Sequence, residues 1–103
     1  MGDVQLITLN ARGLREPLKR RALFRHLHVM YPQHIVCLQE THSVFEDEQI
    51  WRNEWGAQLF LSHGQSANQG GVAVLLPTRF SGSAKLVDTE RMERMVMLQL
   101  EHL

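Results

Sequence analysis

The chain has 103 residues, of which 44% are hydrophobic and 21% charged, and its formal net charge is zero. This length allows one small domain, and the composition is that of a globular protein. Because the net charge is zero, there is no strongly basic overall field that would indicate a nucleic-acid partner. A single cysteine, Cys37, excludes an internal disulfide and indicates a reducing, intracellular compartment. No apolar run approaches the ~18 residues of a membrane helix, so we expect no membrane partner.

A β-α-β unit opens the predicted fold. Residues 4–10 are rich in β-forming side chains and predict a strand that ends at Asn10, before a loop that contains a glycine. Glu16-Pro17 predicts the start of a helix, Pro32 predicts its end, and residues 35–40 predict the second strand. Apolar residues at helical spacing predict the buried stripe of this helix: Leu18, Ala22, Leu23, Leu27 and Met30. Its basic residues are expected mostly on the other faces: Lys19, Arg20, Arg21 and Arg25.

A second helix and four strands are predicted in the remainder. Ser43, with Glu46 three positions later, predicts a capping box before a helix that continues to about Trp55 and ends at Gly56. Trp51 lies four positions before Trp55, so the two indoles share a helix face. The further strands are residues 57–62, 71–76, 83–88 and 95–100. The order β-α-β-α-β-β-β-β predicts an α/β fold with a mixed sheet.

A polar cluster, residues 39–42 (QETH), stands at the end of the second predicted strand. The order strand, helix, strand predicts a parallel pair with a right-handed crossover. Parallel pairing brings Asn10 and Glu40 to the same edge of the sheet, where open α/β sheets place their ligands. The alternative is that Glu40 simply leaves the core and begins a loop.

Two apolar runs, residues 35–38 and 71–76, carry hydrophobic side chains on both faces of their strands. Two helices cover only one face of such a sheet, so a second layer is required. We therefore expect residues 1–103 to be part of a larger two-sheet domain that is truncated at its C-terminus.

Five short segments occur in a characteristic order: residues 9–14 (LNARGL), 38–42 (LQETH), 55–56 (WG), 62–64 (SHG) and 70–75 (GGVAVL). This ordered set resembles the N-terminal half of the endonuclease/exonuclease/phosphatase superfamily domain. The closest resemblance is to the apurinic-endonuclease-like domain of non-LTR (LINE-type) retrotransposons. The resemblance implies the N-terminal part of a four-layered α/β sandwich with mixed sheets.

The resemblance also implies an activity, namely a phosphodiesterase that depends on Mg²⁺ or Mn²⁺ and nicks DNA to expose a primer for reverse transcription. It implies DNA as the partner, a nuclear site of action, and the missing C-terminal half of the domain and a reverse transcriptase in the same polypeptide. Glu40 matches the metal-binding glutamate of the family, and Asn10 matches its active-site asparagine, which orients the phosphate. A single carboxylate suits Mg²⁺, because this ion keeps several waters and also binds substrate phosphate oxygens.

The later acidic and histidine motifs that the family uses have no match in this sequence. Asp3, Asp47 and Asp88 stand outside any such motif. We therefore expect the chain alone to be inactive. Two alternatives to a partial DNA endonuclease stay open: a non-catalytic remnant or binding module, and another enzyme of the superfamily, such as a phosphoinositide phosphatase or an RNA deadenylase.

Several side chains near the expected edge are candidates for contacts with DNA phosphates: Arg12, Arg15, His42 and His63. The run of residues 19–21 either serves the same role or forms a solvated helix face. The six histidines do not predict a zinc site, because there is one cysteine and no paired ligand spacing.

Overall fold

The structure is a computed structural model, and it describes residues 5–64, 66–80, 82–88 and 97–102. In chain order its elements are β1 (Leu6–Asn10), α1 (Pro17–Met30), β2 (Ile35–Gln39), a 3₁₀ turn (Phe45–Asp47), α2 (Glu48–Trp55), β3 (Leu59–Ser62), β4 (Val72–Leu75), β5 (Gly82–Asp88) and β6 (Met97–His102). The predicted α/β class and element order are confirmed. Three residues of the predicted strands, Val4, Met95 and Val96, lie outside the described residues. Within the described ranges, no helix combines the length and apolarity needed to cross a membrane.

The main sheet is mixed, as predicted, with the strand order β1-β2-β4-β3. β1 and β2 are parallel, with Leu6 opposite Ile35 and Asn10 opposite Gln39. β4 runs antiparallel to both β2 and β3. β5 and β6 form a separate antiparallel pair. The C-terminal ends of β1, β2 and β3 and the start of β4 therefore lie along one edge of the main sheet.

The core lies between the two helices and one face of this sheet. Its strand residues point to that face because they alternate with the others along each strand: Val36, Leu38, Leu59, Leu61, Ala73 and Leu75. Trp51 and Trp55 of α2 are both buried against it, which confirms their predicted common face. On the other face, Thr8 is exposed and Cys37 and Val74 are half-buried. Burial raises the pKa of the Cys37 thiol, so this side chain is a poor nucleophile.

The buried face of α1 differs from the predicted stripe. Arg20, Phe24 and Leu27 are the buried residues of this helix. Leu18 is 74% exposed and Met30 is 57% exposed, although both were expected in the core, and Ala22 is also exposed. Leu27 is buried as predicted, and Leu23 packs at the margin of the core. The prediction placed Arg20 on another face, because cations are rarely buried, and it left out Phe24.

Arg20 is buried because four of the five N–H groups of its guanidinium are paired. It donates to the Glu54 carboxylate, with Nη2 2.9 Å from Oε2, and to the carbonyl oxygens of Leu14 and Arg15. The same guanidinium lies 5.3 Å from the centre of the Trp51 ring. Desolvating an arginine is costly, and hydrogen bonds and an aromatic face offset that cost. The pair joins α1 to α2 and so holds the helical layer together.

The ends of the helices follow the predictions, with one exception. Glu16 caps α1 by accepting hydrogen bonds from Leu18 N and Lys19 N, and these bonds lower the pKa of its carboxyl group. Gly56 ends α2 in the left-handed conformation, with φ of 79°. The capping box that was predicted at Ser43 is wrong. The Asp47 carboxylate accepts from Val44 N at 3.0 Å instead, and the Ser43 hydroxyl points elsewhere.

Replacing Glu54 with glutamine should destabilise the fold by ~2–3 kcal/mol, because the buried Arg20 would lose its charged partner. The Arg20 hydrogen bond lowers the pKa of the Glu54 carboxyl below its usual 4.5. This stabilisation is therefore present at neutral pH and is lost as the pH falls from about 5 through the lowered pKa.

Urea unfolding of the wild type and the variant between pH 3 and pH 7 measures both effects. Glu46→Gln, on an exposed residue, is the matched control and should change stability by less than ~0.5 kcal/mol. Equal stability of the Glu54→Gln and Glu46→Gln proteins at pH 7 would contradict the assignment.

Candidate functional site

Three loops meet at the edge where β1, β2 and β3 end and β4 begins. Ala11 N donates to Gln39 O at 2.7 Å, and Gly13 N donates to Glu40 O at 2.7 Å. On the other side, Thr41 N donates to Gly71 O at 3.1 Å and the next amide, of His42, to Gly70 O at 2.9 Å. The turn that follows β2 is thus held between the loop after β1 and the loop before β4. The predicted meeting of the two strand ends is confirmed at the level of the backbone.

Glu40 lies at the centre of this edge. Its Oε2 accepts a hydrogen bond from Gly70 N at 2.7 Å, and its side chain is 45% exposed. Its backbone is left-handed, with φ of 54°, which is uncommon for a residue other than glycine. Oε1 has no hydrogen-bond partner among the described residues. One carboxylate oxygen is therefore fixed by the protein, and the other is left without a protein partner in the described part of the chain.

His42 lies beside this carboxylate. Its Nε2 is 3.6 Å from Glu40 Oε2, so a protonated ring would form an ion pair with it. The ring packs over Gly13, where an added Cβ would lie 2.7 Å from His42 Nδ1. Gly13 has φ of 86°, and it therefore serves both the turn and the close approach of the ring.

Asn10 is the last residue of β1, and Arg12 lies in the loop that follows it. The Asn10 Oδ1 accepts from Arg12 N at 2.9 Å, which identifies the oxygen of this amide and leaves its NH₂ group free to donate. Arg12 is exposed, and its guanidinium has no ion-pair partner among the described residues. The ammonium of Lys19 donates to the carbonyls of Ala11 and Arg12, which fixes the loop from the side of α1.

The other predicted contact residues are engaged within the protein. Arg15 Nε lies 3.0 Å from Asp47 Oδ2, and its side chain is 44% exposed. Both ring nitrogens of His63 have partners, namely the Ser43 hydroxyl and the Glu48 carboxylate. Contacts of these residues with DNA stay predictions. Sequence reasoning missed the roles of Ser43 and Glu48, and no local pattern points to them.

A comparison with protein-family models places this edge in a known context. Residues 7–96 match the model described as the endonuclease/exonuclease/phosphatase family. The chain belongs to this family. The match covers most of the chain, including the three loops of the edge. Members of this family are phosphodiesterases and related hydrolases, so an edge that presents a carboxylate and cationic side chains is consistent with phosphoester chemistry.

The donor set at this edge fits a hard divalent cation. Among the described residues, no cluster of three or more histidine, cysteine, aspartate or glutamate side chains could hold a metal ion by itself. A single carboxylate can serve Mg²⁺, because that ion binds through one or two carboxylates and keeps waters and phosphate oxygens as its other ligands. Glu40 is the residue that would hold it.

The close fit of the loops predicts a difference between two glycine substitutions. Gly71 and Gly56 both have positive φ, of 87° and 79°. A Cβ at Gly71 would collide with Thr41 Oγ1, whereas a Cβ at Gly56 has nothing within 4 Å. Gly56→Ala should cost ~1–2 kcal/mol from its backbone alone, and Gly71→Ala should cost ~1–3 kcal/mol more.

Thermal or urea unfolding of the two variants checks this prediction, with Gly56→Ala as the matched control for the backbone term. Equal destabilisation would mean that the Thr41 turn does not pack against Gly71 as described.

Proposed function

We propose that this chain forms the cation-binding and DNA-contacting edge of an Mg²⁺-dependent (or Mn²⁺-dependent) DNA endonuclease of the kind that non-LTR retrotransposons carry. The observation that carries the proposal is the Glu40 carboxylate, which is fixed through Oε2 by the Gly70 amide and is open to solvent at the edge. Family membership supports hydrolysis of a phosphoester. The sequence segments around Asn10 and Glu40 support the retrotransposon type.

Glu40 and Asn10 have complementary roles in this proposal. Glu40 holds the cation, which when bound neutralises charge that develops on the phosphate group. Asn10 donates hydrogen bonds from its NH₂ group to a phosphate oxygen, because its Oδ1 is already occupied by Arg12 N. Asn10 ends β1 and Glu40 directly follows β2, the neighbouring parallel strand, so the sheet holds both residues in place and the phosphate is oriented with little loss of entropy.

Arg12 adds the electrostatic contact with DNA. It is exposed, its guanidinium has no partner among the described residues, and it lies two positions after Asn10, the last residue of β1. A free guanidinium gains more from a phosphate than one that is already paired. Arg15 contributes less, since its guanidinium is held by Asp47 at 3.0 Å.

Nicking of supercoiled plasmid tests the activity. We expect no measurable nicking by the 103-residue chain with Mg²⁺, because general acid–base assistance is typically worth ~10²–10⁴-fold and the family motifs that provide it have no match here. A C-terminal half from a family relative, added as a second polypeptide or fused in frame, should restore nicking. Glu40→Gln should then reduce the rate at least ~100-fold, because the amide keeps the shape but removes the charged ligand.

Glu46→Gln, which removes an exposed carboxylate of the same type, is the control and should leave the restored rate unchanged. Nicking by the restored domain that survives Glu40→Gln would refute the ligand role. Single-stranded RNA and an inositol phosphate serve as competing substrates. Faster hydrolysis of either one than of DNA would refute the endonuclease and favour a deadenylase or phosphatase.

The proposed contact of Arg12 with phosphate predicts a change in the salt dependence of DNA binding. Arg12→Ala should weaken binding of the 103-residue chain to a short duplex for every sequence tested, and the slope of log K against log salt should fall by about 1. Fluorescence anisotropy between 25 and 200 mM salt measures both quantities. Arg25→Ala, which removes an exposed cation further along α1, is the control. An unchanged slope for Arg12→Ala would exclude the contact.

A further inference from the structure

A chain of hydrogen-bonded side chains connects α2 to the turn that follows β2. His63 Nε2 lies 2.6 Å from Glu48 Oε2, and His63 Nδ1 lies 2.9 Å from Ser43 Oγ. Ser43 Oγ lies in turn 3.1 Å from Thr41 Oγ1. Ser43 and Thr41 are completely buried, each with 0% exposure. This series of hydrogen bonds thus ends at Thr41, which directly follows Glu40.

The carboxylate determines the direction of the first hydrogen bond. An ionised carboxylate only accepts, so His63 carries a proton on Nε2 and donates it to Glu48. His63 Nδ1 and the Ser43 hydroxyl share the second hydrogen bond, and the Ser43 and Thr41 hydroxyls share the third. Glu48 lies in the first turn of α2 and also pairs with Arg52 at 3.1 Å, which secures the far end of the chain.

The arrangement has the connectivity of a hydrolytic Ser-His-Glu triad, but it cannot act as one. Ser43 has no exposed surface, so a substrate cannot reach its oxygen. These side-chain hydrogen bonds can instead hold the backbone of the turn that follows β2. The residues on both sides of Thr41, Glu40 and His42, have φ of 54° and 59°, and such conformations are strained without surrounding support.

We propose that Ser43, His63 and Glu48 are positioning residues that hold the turn of residues 40–43 so that the Glu40 carboxylate is ready to bind a divalent cation. The inference rests on the proposed function in one respect, namely that Glu40 is the cation ligand. The side-chain hydrogen bonds hold Thr41 and Ser43. The carbonyl oxygens of Gly70 and Gly71 hold the same turn by accepting from its backbone amides. Without these side-chain hydrogen bonds, Glu40 loses the fixed orientation that brings its Oε2 to Gly70 N.

Two substitutions break this series of hydrogen bonds, and each has a matched control. Ser43→Ala removes the central hydroxyl, and Ser66→Ala removes a hydroxyl from an exposed turn where it contacts Asn68 N. His63→Gln replaces the ring, and His26→Gln replaces an exposed ring on α1. The second pair decides the question if Ser43→Ala does not fold.

The measurements use the ¹⁵N-labelled 103-residue chain. Exchange of the Gly70 amide proton reports its hydrogen bond with Glu40, and a titration with MgCl₂ gives the midpoint for shifts at residues 40 and 70. Both chain-breaking variants should raise the Mg²⁺ midpoint about tenfold, which is the usual effect of losing a group that orients a metal ligand. Gly70 exchange should accelerate by a similar factor while the amide of Leu38 in the core stays protected. Both controls should lie within twofold of the wild type.

The side-chain nitrogen shifts of His63 check the contact with Glu48 directly, because the wild-type ring should carry a proton on Nε2. A ring without a proton on Nε2, or a Gly70 exchange rate and Mg²⁺ midpoint that remain at wild-type values in both variants, would overturn the inference. Loss of Gly70 protection in both variants, with no response of the wild type to Mg²⁺, would uphold the positioning role and refute Glu40 as the cation ligand.

Discussion

The hydrogen bond from the Gly70 amide to the Glu40 carboxylate is the contact on which the candidate site depends. It joins residues 30 positions apart at 2.7 Å and fixes a side chain that is otherwise half exposed. The sheet makes this contact available, because β4 runs antiparallel to β2 and starts where β2 ends. The fold therefore contributes to the chemistry by placing a backbone donor beside the carboxylate without using another charge.

The edge combines strain with close packing. Arg12, Glu40 and His42 all have positive φ, and each belongs to a loop that a neighbouring loop holds by backbone hydrogen bonds. Glycines lie where a side chain would prevent the close contact between loops. Gly13 lies against the His42 ring, and Gly71 lies against Thr41. Unfavourable backbone conformations of this kind persist only where the surroundings fix them, and they concentrate at functional sites. In this chain all three lie within residues 7–96, which match the family model.

Local sequence signals predicted the framework well. Glu16-Pro17 and Gly56 marked the helix ends, and the order strand, helix, strand predicted the parallel pair that brings Asn10 beside Gln39. The burial of Arg20 in α1 was missed because its partner, Glu54, is 34 positions away and no periodicity reveals it. Ser43 was assigned to a helix cap for a similar reason. Its actual partner, His63, is 20 positions away, and such a contact requires the folded sheet.

We propose that the edge formed by β1, β2 and β4 binds one divalent cation at Glu40, and paramagnetic broadening by Mn²⁺ tests this proposal most directly. In ¹H–¹⁵N spectra of the 103-residue chain, sub-stoichiometric Mn²⁺ should first broaden the amides of Asn10, Glu40 and Gly70. Met30, at the far end of α1, should remain sharp, and Glu40→Gln should remove the selective effect. Broadening that is uniform, that centres on another carboxylate such as Glu54, or that persists unchanged in Glu40→Gln would contradict the account.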